Sequence, residues 1–151
     1  MTTVIRLRPA HAESLTVLFT VIAADPGAQQ FHPHPFTAEQ AIAISRHTGA
    51  DVYVALIDGD VFIGYGMLRG WDAGFEVPSL GIYLRPEARG RGLGRLFIER
   101  LHQLAHEAGA ACVRLKVYSD NLPARRLYEN LGYRFTGADA GQLIGVCKLS
   151  R

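Results

Sequence analysis

Hydrophobic residues recur along this chain with two periods, and each change of period marks a new element. Val4 to Leu7 is a short apolar run that predicts a strand. From Ala10 to about Ala23, Leu15, Leu18, Phe19 and Ile22 return at helical spacing and predict an amphipathic helix. Asp25 to Phe36 loses the periodicity, and Pro26, Gly27, Pro33 and Pro35 make it a loop. Thr37, with Gln40 following at capping-box spacing, predicts a second helix that Gly49 closes. The runs Asp51–Ile57 and Val61–Leu68 flank Asp58-Gly59-Asp60, and Asp-Gly between apolar runs predicts a β-hairpin.

Gly70 to Val77 is a further turn region, and Leu80–Leu84 is a strand that Pro86 ends. Leu93, Phe97, Leu101, Leu104, Ala105 and Ala108 then fall on one helical face, and Gly109 stops that helix. Ala111–Val117 is a β-branched strand. Pro123–Leu131 reads as a short helix with Pro in its first turn and Gly132 as its cap. Tyr133–Thr136 and Leu143–Leu149 read as closing strands. The order is β-α-α-β-β-β-α-β-α-β-β. Hairpins precede the longest helix and a βαβ crossover contains it, so the sheet is mixed. The fold class is α/β (α+β).

Composition narrows the function. A chain of 151 residues, 48% hydrophobic and 20% charged, reads as one globular domain over 1–151. No apolar stretch approaches membrane-spanning length, and the N-terminus lacks the apolar core of a secretory signal, so a cytoplasmic protein is expected. Cys112 and Cys147 lie in strand-like runs and read as buried, reduced thiols. A net charge of +2 does not suggest a nucleic-acid partner. The basic residues instead gather locally: Arg85, Arg89, Arg91, Arg95 and Arg100 stand against Glu87 and Glu99. Such a patch suits a small anionic ligand.

Arg89-Gly90-Arg91-Gly92-Leu93-Gly94-Arg95 lies between a strand and a helix. Glycines allow close backbone approach, and the first helical turn offers unpaired N–H groups, so this is an anion cradle. A Walker P-loop needs Lys and Ser/Thr after its last glycine, where Arg95 and Leu96 stand. A dinucleotide fingerprint needs a glycine where Arg95 lies, and no acidic residue ends the next strand. Past that next strand comes Asn121-x-x-Ala124-x-x-Leu127-Tyr128-Glu129-x-x-Gly132-Tyr133. Arg89-x-x-Gly92-x-Gly94 followed by this pattern resembles the GNAT superfamily of acyl-CoA-dependent N-acetyltransferases. The resemblance extends over nearly the whole chain, including the Ile5-Arg6-Leu7-Arg8-Pro9 start and the strand order.

The resemblance implies a mixed, mainly antiparallel sheet of roughly six or seven strands flanked by about four helices, with one parallel βαβ unit at the CoA site. It implies acetyl-CoA as cosubstrate and no metal. Strands Leu80–Leu84 and Ala111–Val117 splay in such proteins, and the pantetheine arm adds to the first of them. Ile82, Tyr83 and Leu84 then contact pantetheine. Arg89 and the backbone of Gly90, Arg91, Gly92, Leu93, Gly94 and Arg95 serve the pyrophosphate, and Asn121 meets the pantetheine arm. Tyr128 matches the general acid, a phenol that stays protonated near neutral pH. Some relatives carry a Glu on the strand after the long helix, but Lys116 stands there in this chain. Glu76 is the candidate base, Asp72 the runner-up, and a water relay the third route.

In such proteins the loop between the first two helices walls the acceptor pocket. Here it reads Phe31-His32-Pro33-His34-Pro35-Phe36. Either it is a rigid loop packed by its Phe residues, or His34 and Trp71, with Asp72, recognise the acceptor. The implied activity is direct transfer of acetyl from acetyl-CoA to the primary amine of a small molecule, an amino sugar or amino acid derivative. Protein N-termini or lysines are the alternative acceptors, and a non-catalytic acyl-CoA-binding module is the rival of another class. No nucleic-acid or membrane partner is expected, and the chain is expected to be a monomer or homodimer.

Overall fold

The computed structural model describes residues 1–149. Its strands are β1 (Thr2–Arg6), β2 (Val52–Asp58), β3 (Val61–Arg69), β4 (Ser79–Leu84), β5 (Cys112–Tyr118), β6 (Arg134–Asp139) and β7 (Gln142–Lys148). Its α-helices are α1 (Ala12–Ala24), α2 (Ala38–Ser45), α3 (Leu93–Glu107) and α4 (Leu122–Asn130). The strands form one seven-stranded sheet in the order β1-β2-β3-β4-β5-β7-β6. Every neighbouring pair is antiparallel except β4 with β5. This is the expected mixed sheet with one parallel unit. Among the described residues no helix is long and apolar enough to cross a membrane.

Strand alternation divides the core into two layers. Leu15, Leu18, Phe19 and Ile22 of α1 and Ile44 of α2 pack with Tyr65, Met67 and Tyr83 on one face of the sheet. Phe97, Ile98, Leu101 and Leu104 of α3 pack with Val54, Leu80, Val113 and Leu115 on the other. The seam of α3 against β3 is so close that a Cβ on Gly66 would lie 2.7 Å from Phe97 Cζ. A glycine there lets the long helix sit directly on the sheet.

Most boundaries shift by one to three residues from the sequence pattern, and three of the differences have a visible physical reason. β1 begins at Thr2 because its ladder with β2 runs from Thr2↔Asp58 to Arg6↔Val54. Thr37 Oγ1 does accept from Gln40 N at 3.1 Å, but α2 ends at Ser45, well before Gly49. The residues between are held by Asp72, which accepts from Ala50 N at 2.7 Å and pairs with His47 at 3.0 Å. Ala108 is an exposed C-cap outside the apolar face of α3, and Gly109 at φ 94 turns the chain away. Cys147 is buried and Cys112 half-buried, and both are free thiols.

Candidate active site

The site originates in a seam that closes at one point. β3 pairs with β4 from Arg69↔Ser79 to Gly64↔Leu84, and β5 pairs with β7 along its whole length. Between β4 and β5 the register has the single partner pair Ser79↔Arg114, supported by Arg114 N donating to Pro78 O at 3.0 Å. Beyond it the strands part around a cavity of about 440 Å³, lined by Leu80–Leu84 of β4 and Lys116–Tyr118 of β5. Arg85 N donates to Ile63 O at 2.8 Å. Antiparallel alternation therefore turns the backbone groups of Leu80, Ile82 and Leu84 away from β3, into the cleft. Arg89 Nε takes the Leu84 carbonyl at 3.1 Å. The N–H and C=O of Ile82 remain as a free peptide edge, the geometry that an amide-bearing chain extends as an added strand.

The glycine turn closes one end of this cleft. Gly90 and Gly92 stand at φ 73 and 76, in the left-handed region. Gly92 is the N-cap of α3 and supplies no side-chain cap. The N–H groups of the helix's first turn thus lack intrahelical acceptors, and the dipole adds positive potential. Gly94 lines the cavity, where its missing Cβ would lie 3.5 Å from Leu127 Cδ2. Arg91 and Arg95 are exposed, with Arg95 Nε 3.7 Å from Glu99. A diphosphate on the turn followed by an amide-containing arm along β4 fits these residues, as acyl-CoA requires.

α4 supplies the other wall. Asn121 caps it, with Oδ1 accepting from Ala124 N at 3.3 Å. Its carbonyl is thus engaged, and its amide nitrogen is left to donate into the cavity it lines. Tyr128 lines the same cavity and packs edge-on against Tyr133, centroids 5.7 Å apart. Among the described residues no protein group hydrogen-bonds the Tyr128 hydroxyl. Burial pushes its pKa above that of an ordinary phenol, so it stays a proton donor. Lys116 Nζ pairs with Asp139 at 2.9 Å.

Arg89 is tied into a cluster absent from the sequence reading. Asp25, whose side chain is 7% exposed, accepts from Arg89 Nη2 at 2.8 Å and Tyr83 Oη at 2.7 Å through Oδ2. Its Oδ1 accepts from Gly27 N at 2.8 Å. The guanidinium also lies 5.6 Å from the Tyr83 ring centroid. The cluster joins the end of α1, β4 and the glycine turn, so it holds the loop that walls the cavity. The Tyr83 hydroxyl first, then the Gly27 amide and Arg89, hold the Asp25 carboxyl below its usual range against the opposing effect of burial. Because the folded-state pKa is the lower one, this stabilisation is complete above about pH 4 and fades as pH falls through the folded value. Asp25→Asn should cost about 2 kcal/mol at pH 7, a fall in Tm of roughly 4–8 °C. Thermal melts of both proteins across pH should show the gap narrowing below about pH 4. A gap unchanged down to pH 3 would mean the carboxylate charge plays no part.

A second cavity, of about 410 Å³, opens beyond the closed end of the seam. It shares Leu80 and Gly81 with the first, so these residues mark where the two meet. Its lining includes Arg69, Arg114, Asp51, Met67, Phe75 and Val77. Asp51 Oδ1 accepts from Gly70 N at 3.0 Å and Asp72 N at 3.1 Å, which pins the β3–β4 turn.

Gly90, Arg91, Gly92, Leu93 and Arg95 of the turn lie outside both cavity linings, as do the four candidates for base and acceptor recognition. Glu76 is exposed on the β3–β4 turn. Asp72 is held below its usual pKa first by the Ala50 N–H, opposed by desolvation. Trp71 is half-buried against the core on the α3 side. His34 packs among Phe19, Phe36 and Tyr65. A carbonyl only accepts, so His34 Nδ1 donates to Pro35 O at 2.7 Å and Nε2 accepts from Tyr65 Oη at 2.8 Å. Burial lowers the His34 pKa. Asp25, Asp51, Arg69 and Arg114 went unread in the sequence. Arg114 alone carries a signal there: it interrupts a β-branched strand on the face shared by Cys112, Lys116 and Tyr118.

The family described as Acetyltransferase (GNAT) family matches residues 15–133. The chain is 34% identical over 80 residues to thialysine N-epsilon-acetyltransferase of Sus scrofa, covering 50% of this chain and 46% of that protein. It is 36% identical over 91 residues to streptothricin acetyltransferase of Streptomyces lavendulae, covering 59% and 47%. The chain thus spans about half the length of these curated relatives in the matches. The solved GNAT domain of S. lividans PAT superposes with a TM-score of 0.83 at 18% identity, covering 98% of this chain and 90% of that one, a likeness of fold.

Proposed function

The chain belongs to the acetyltransferase (GNAT) family, and on that premise we propose that it transfers the acetyl group of acetyl-CoA to the primary amine of a small molecule. The observation that carries the reading is the cleft left where β4 and β5 part after one partner pair, with the glycine turn at its end and a free Tyr128 hydroxyl on its wall. Two of the curated relatives matched are named for small acceptors, thialysine and streptothricin, which supports a small amine here.

Acetyl-CoA supplies a thioester carbonyl and a thiol leaving group. The residues of this chain then act by position. The N–H groups of Gly90 through Arg95 hold the pyrophosphate, and Ile82 with Asn121 holds the pantetheine amides. Tyr83 and Arg89 act through Asp25 to keep the cleft wall in place, and Leu84 packs the arm from β4. Tyr128 donates its proton to the departing sulfur. Proton removal from the amine runs through water, and Glu76, exposed on the turn that leads into β4, is the carboxylate we assign as its end point. The proposal covers residues 1–151 as one cytoplasmic domain, monomer or homodimer, acting without a nucleic-acid or membrane partner. The near-neutral charge of +2 supports the expectation of no nucleic-acid partner.

The test combines thiol release over a broad amine panel with thermal melts. Acetyl-CoA at a hundred times its dissociation constant should add about 2.7 kcal/mol of stability, a rise of roughly 5–11 °C in Tm. No shift at saturating acetyl-CoA would overturn the reading. A shift without thiol release from any amine would favour a binding module.

A further inference from the structure

The second cavity carries a charge arrangement that names an acceptor chemistry. Ser79 is the register partner of Arg69 on one side and of Arg114 on the other. Residues in register across adjacent strands project to the same face, so both guanidiniums stand on one face with the Ser79 hydroxyl between them. All three line the cavity. Two strand spacings place the arginine Cα atoms roughly 10 Å apart, within reach of one shared anionic group between two long side chains.

Both arginines keep donors to spare. Arg69 Nη1 donates to Pro33 O, which anchors the side chain, and the Tyr53 hydroxyl lies close to the same guanidinium; the five-donor fork still has N–H groups beyond these two contacts. Arg114 is half-buried and bonded through its backbone N to Pro78 O. Among the described residues no side-chain hydrogen bond or ion pair engages its guanidinium. The neighbouring carboxylate Asp139 is taken by Lys116 at 2.9 Å. Asp51 lines the same cavity but its Oδ1 is committed to the Gly70 and Asp72 amides. With two arginines against one aspartate the cavity carries an excess positive charge and suits a single anionic group.

Gly81 lies two residues along β4 from Ser79, on the same face and at the junction with the first cavity. That is roughly 7 Å of strand. Met67, Val77 and Phe75, the last 66% exposed, give the remaining wall an apolar character.

We infer that the acceptor is a primary amine carrying a carboxylate a few bonds away, an amino acid type molecule whose carboxylate is held by Arg69, Ser79 and Arg114 while its amine reaches Gly81. The inference rests on the acetyl-transfer reading for the amine's role, and it selects the amino acid over the amino sugar. The neutral hydroxyls of a sugar would leave the excess positive charge of the two guanidiniums over Asp51 uncompensated.

Matched pairs test it. Initial rates of thiol release from acetyl-CoA are compared for L-methionine and L-methioninamide, for 4-aminobutyrate and its amide, and for glucosamine. In parallel, calorimetry follows binding of the N-acetyl acid and the N-acetyl amide to the intact protein with CoA. The acid of at least one pair should exceed its amide in kcat/KM by roughly tenfold to a hundredfold. Arg114→Gln should bring that ratio close to one, through KM more than kcat, and Arg114→Lys should restore part of it. Amides or glucosamine turned over as well as the acids would overturn the inference and leave acetyl transfer standing. Acid binding that is lost in Arg114→Gln, without thiol release from any amine, would support the carboxylate site and overturn acetyl transfer.

Discussion

Tyr128→Phe should lower kcat for acetyl transfer by roughly a hundredfold to ten-thousandfold, the range for a lost general acid. Acetyl-CoA affinity should stay within about twofold, since the phenyl ring remains on the cavity wall. The asymmetry follows from geometry. The ring is held by its edge-on contact with Tyr133 and by the core beneath α4, whereas the hydroxyl has no protein partner among the described residues. Removing that oxygen therefore leaves no buried group unpaired and costs little stability. Burial holds the phenol above its ordinary value, so the protonated form persists through neutral pH and beyond about pH 10. The rate should show no alkaline decline attributable to Tyr128 below that pH. Steady-state kinetics with a calorimetric acetyl-CoA titration check both halves, and equal losses in kcat and affinity would remove Tyr128 from the acid role.

Gly92→Val should weaken acetyl-CoA binding at least roughly a hundredfold, as expected when several charge-assisted hydrogen bonds fail together. Space is not the reason, because a Cβ on Gly92 would meet nothing within 4 Å. Conformation is: at φ 76 a β-branched residue costs about 1–2 kcal/mol or more, and the chain relieves this by leaving the left-handed region. The first-turn N–H groups of α3 then no longer converge on one anion. The unliganded protein should lose only a few degrees of Tm, while the acetyl-CoA-induced rise should largely vanish. Gly94 makes the contrast, since its Cβ would be in ordinary contact at 3.5 Å from Leu127 and its φ is not positive. Gly94→Ala should therefore fold without strain. Unchanged acetyl-CoA affinity in Gly92→Val would detach this turn from the pyrophosphate.

Much of the site was legible where its chemistry is local. Gly92 at a helix start, Asn121 as a cap before Pro123 and Tyr128 in the last turn of the next helix all lie within short segments whose turn residues set their backbone. The acceptor side read less clearly. His34 offered an imidazole in a proline-stiffened loop, but its partners are Pro35 beside it and Tyr65, a strand away. Asp72 stood as a turn carboxylate, and its bonds to Ala50 and His47 depend on how the β3–β4 turn meets the end of α2. Glu76 and Trp71 share that turn, yet neither faces the cavities beside it as described.

The sequence by itself determined the order and type of the eleven strands and α-helices among the described residues, the glycine turn that opens α3, and the family those features mark. Periodicity, caps and turn chemistry act within a few residues, so they can be read without knowing what lies opposite. Only the tertiary structure decided that β4 and β5 share a single partner pair, that Asp25 reaches Tyr83 and Arg89, and that Arg69, Ser79 and Arg114 stand in one row. These depend on strand register and on contacts between residues far apart in the chain. A shift of one residue in either ladder would turn Arg69 or Arg114 to the opposite face and dissolve the row without changing any local pattern.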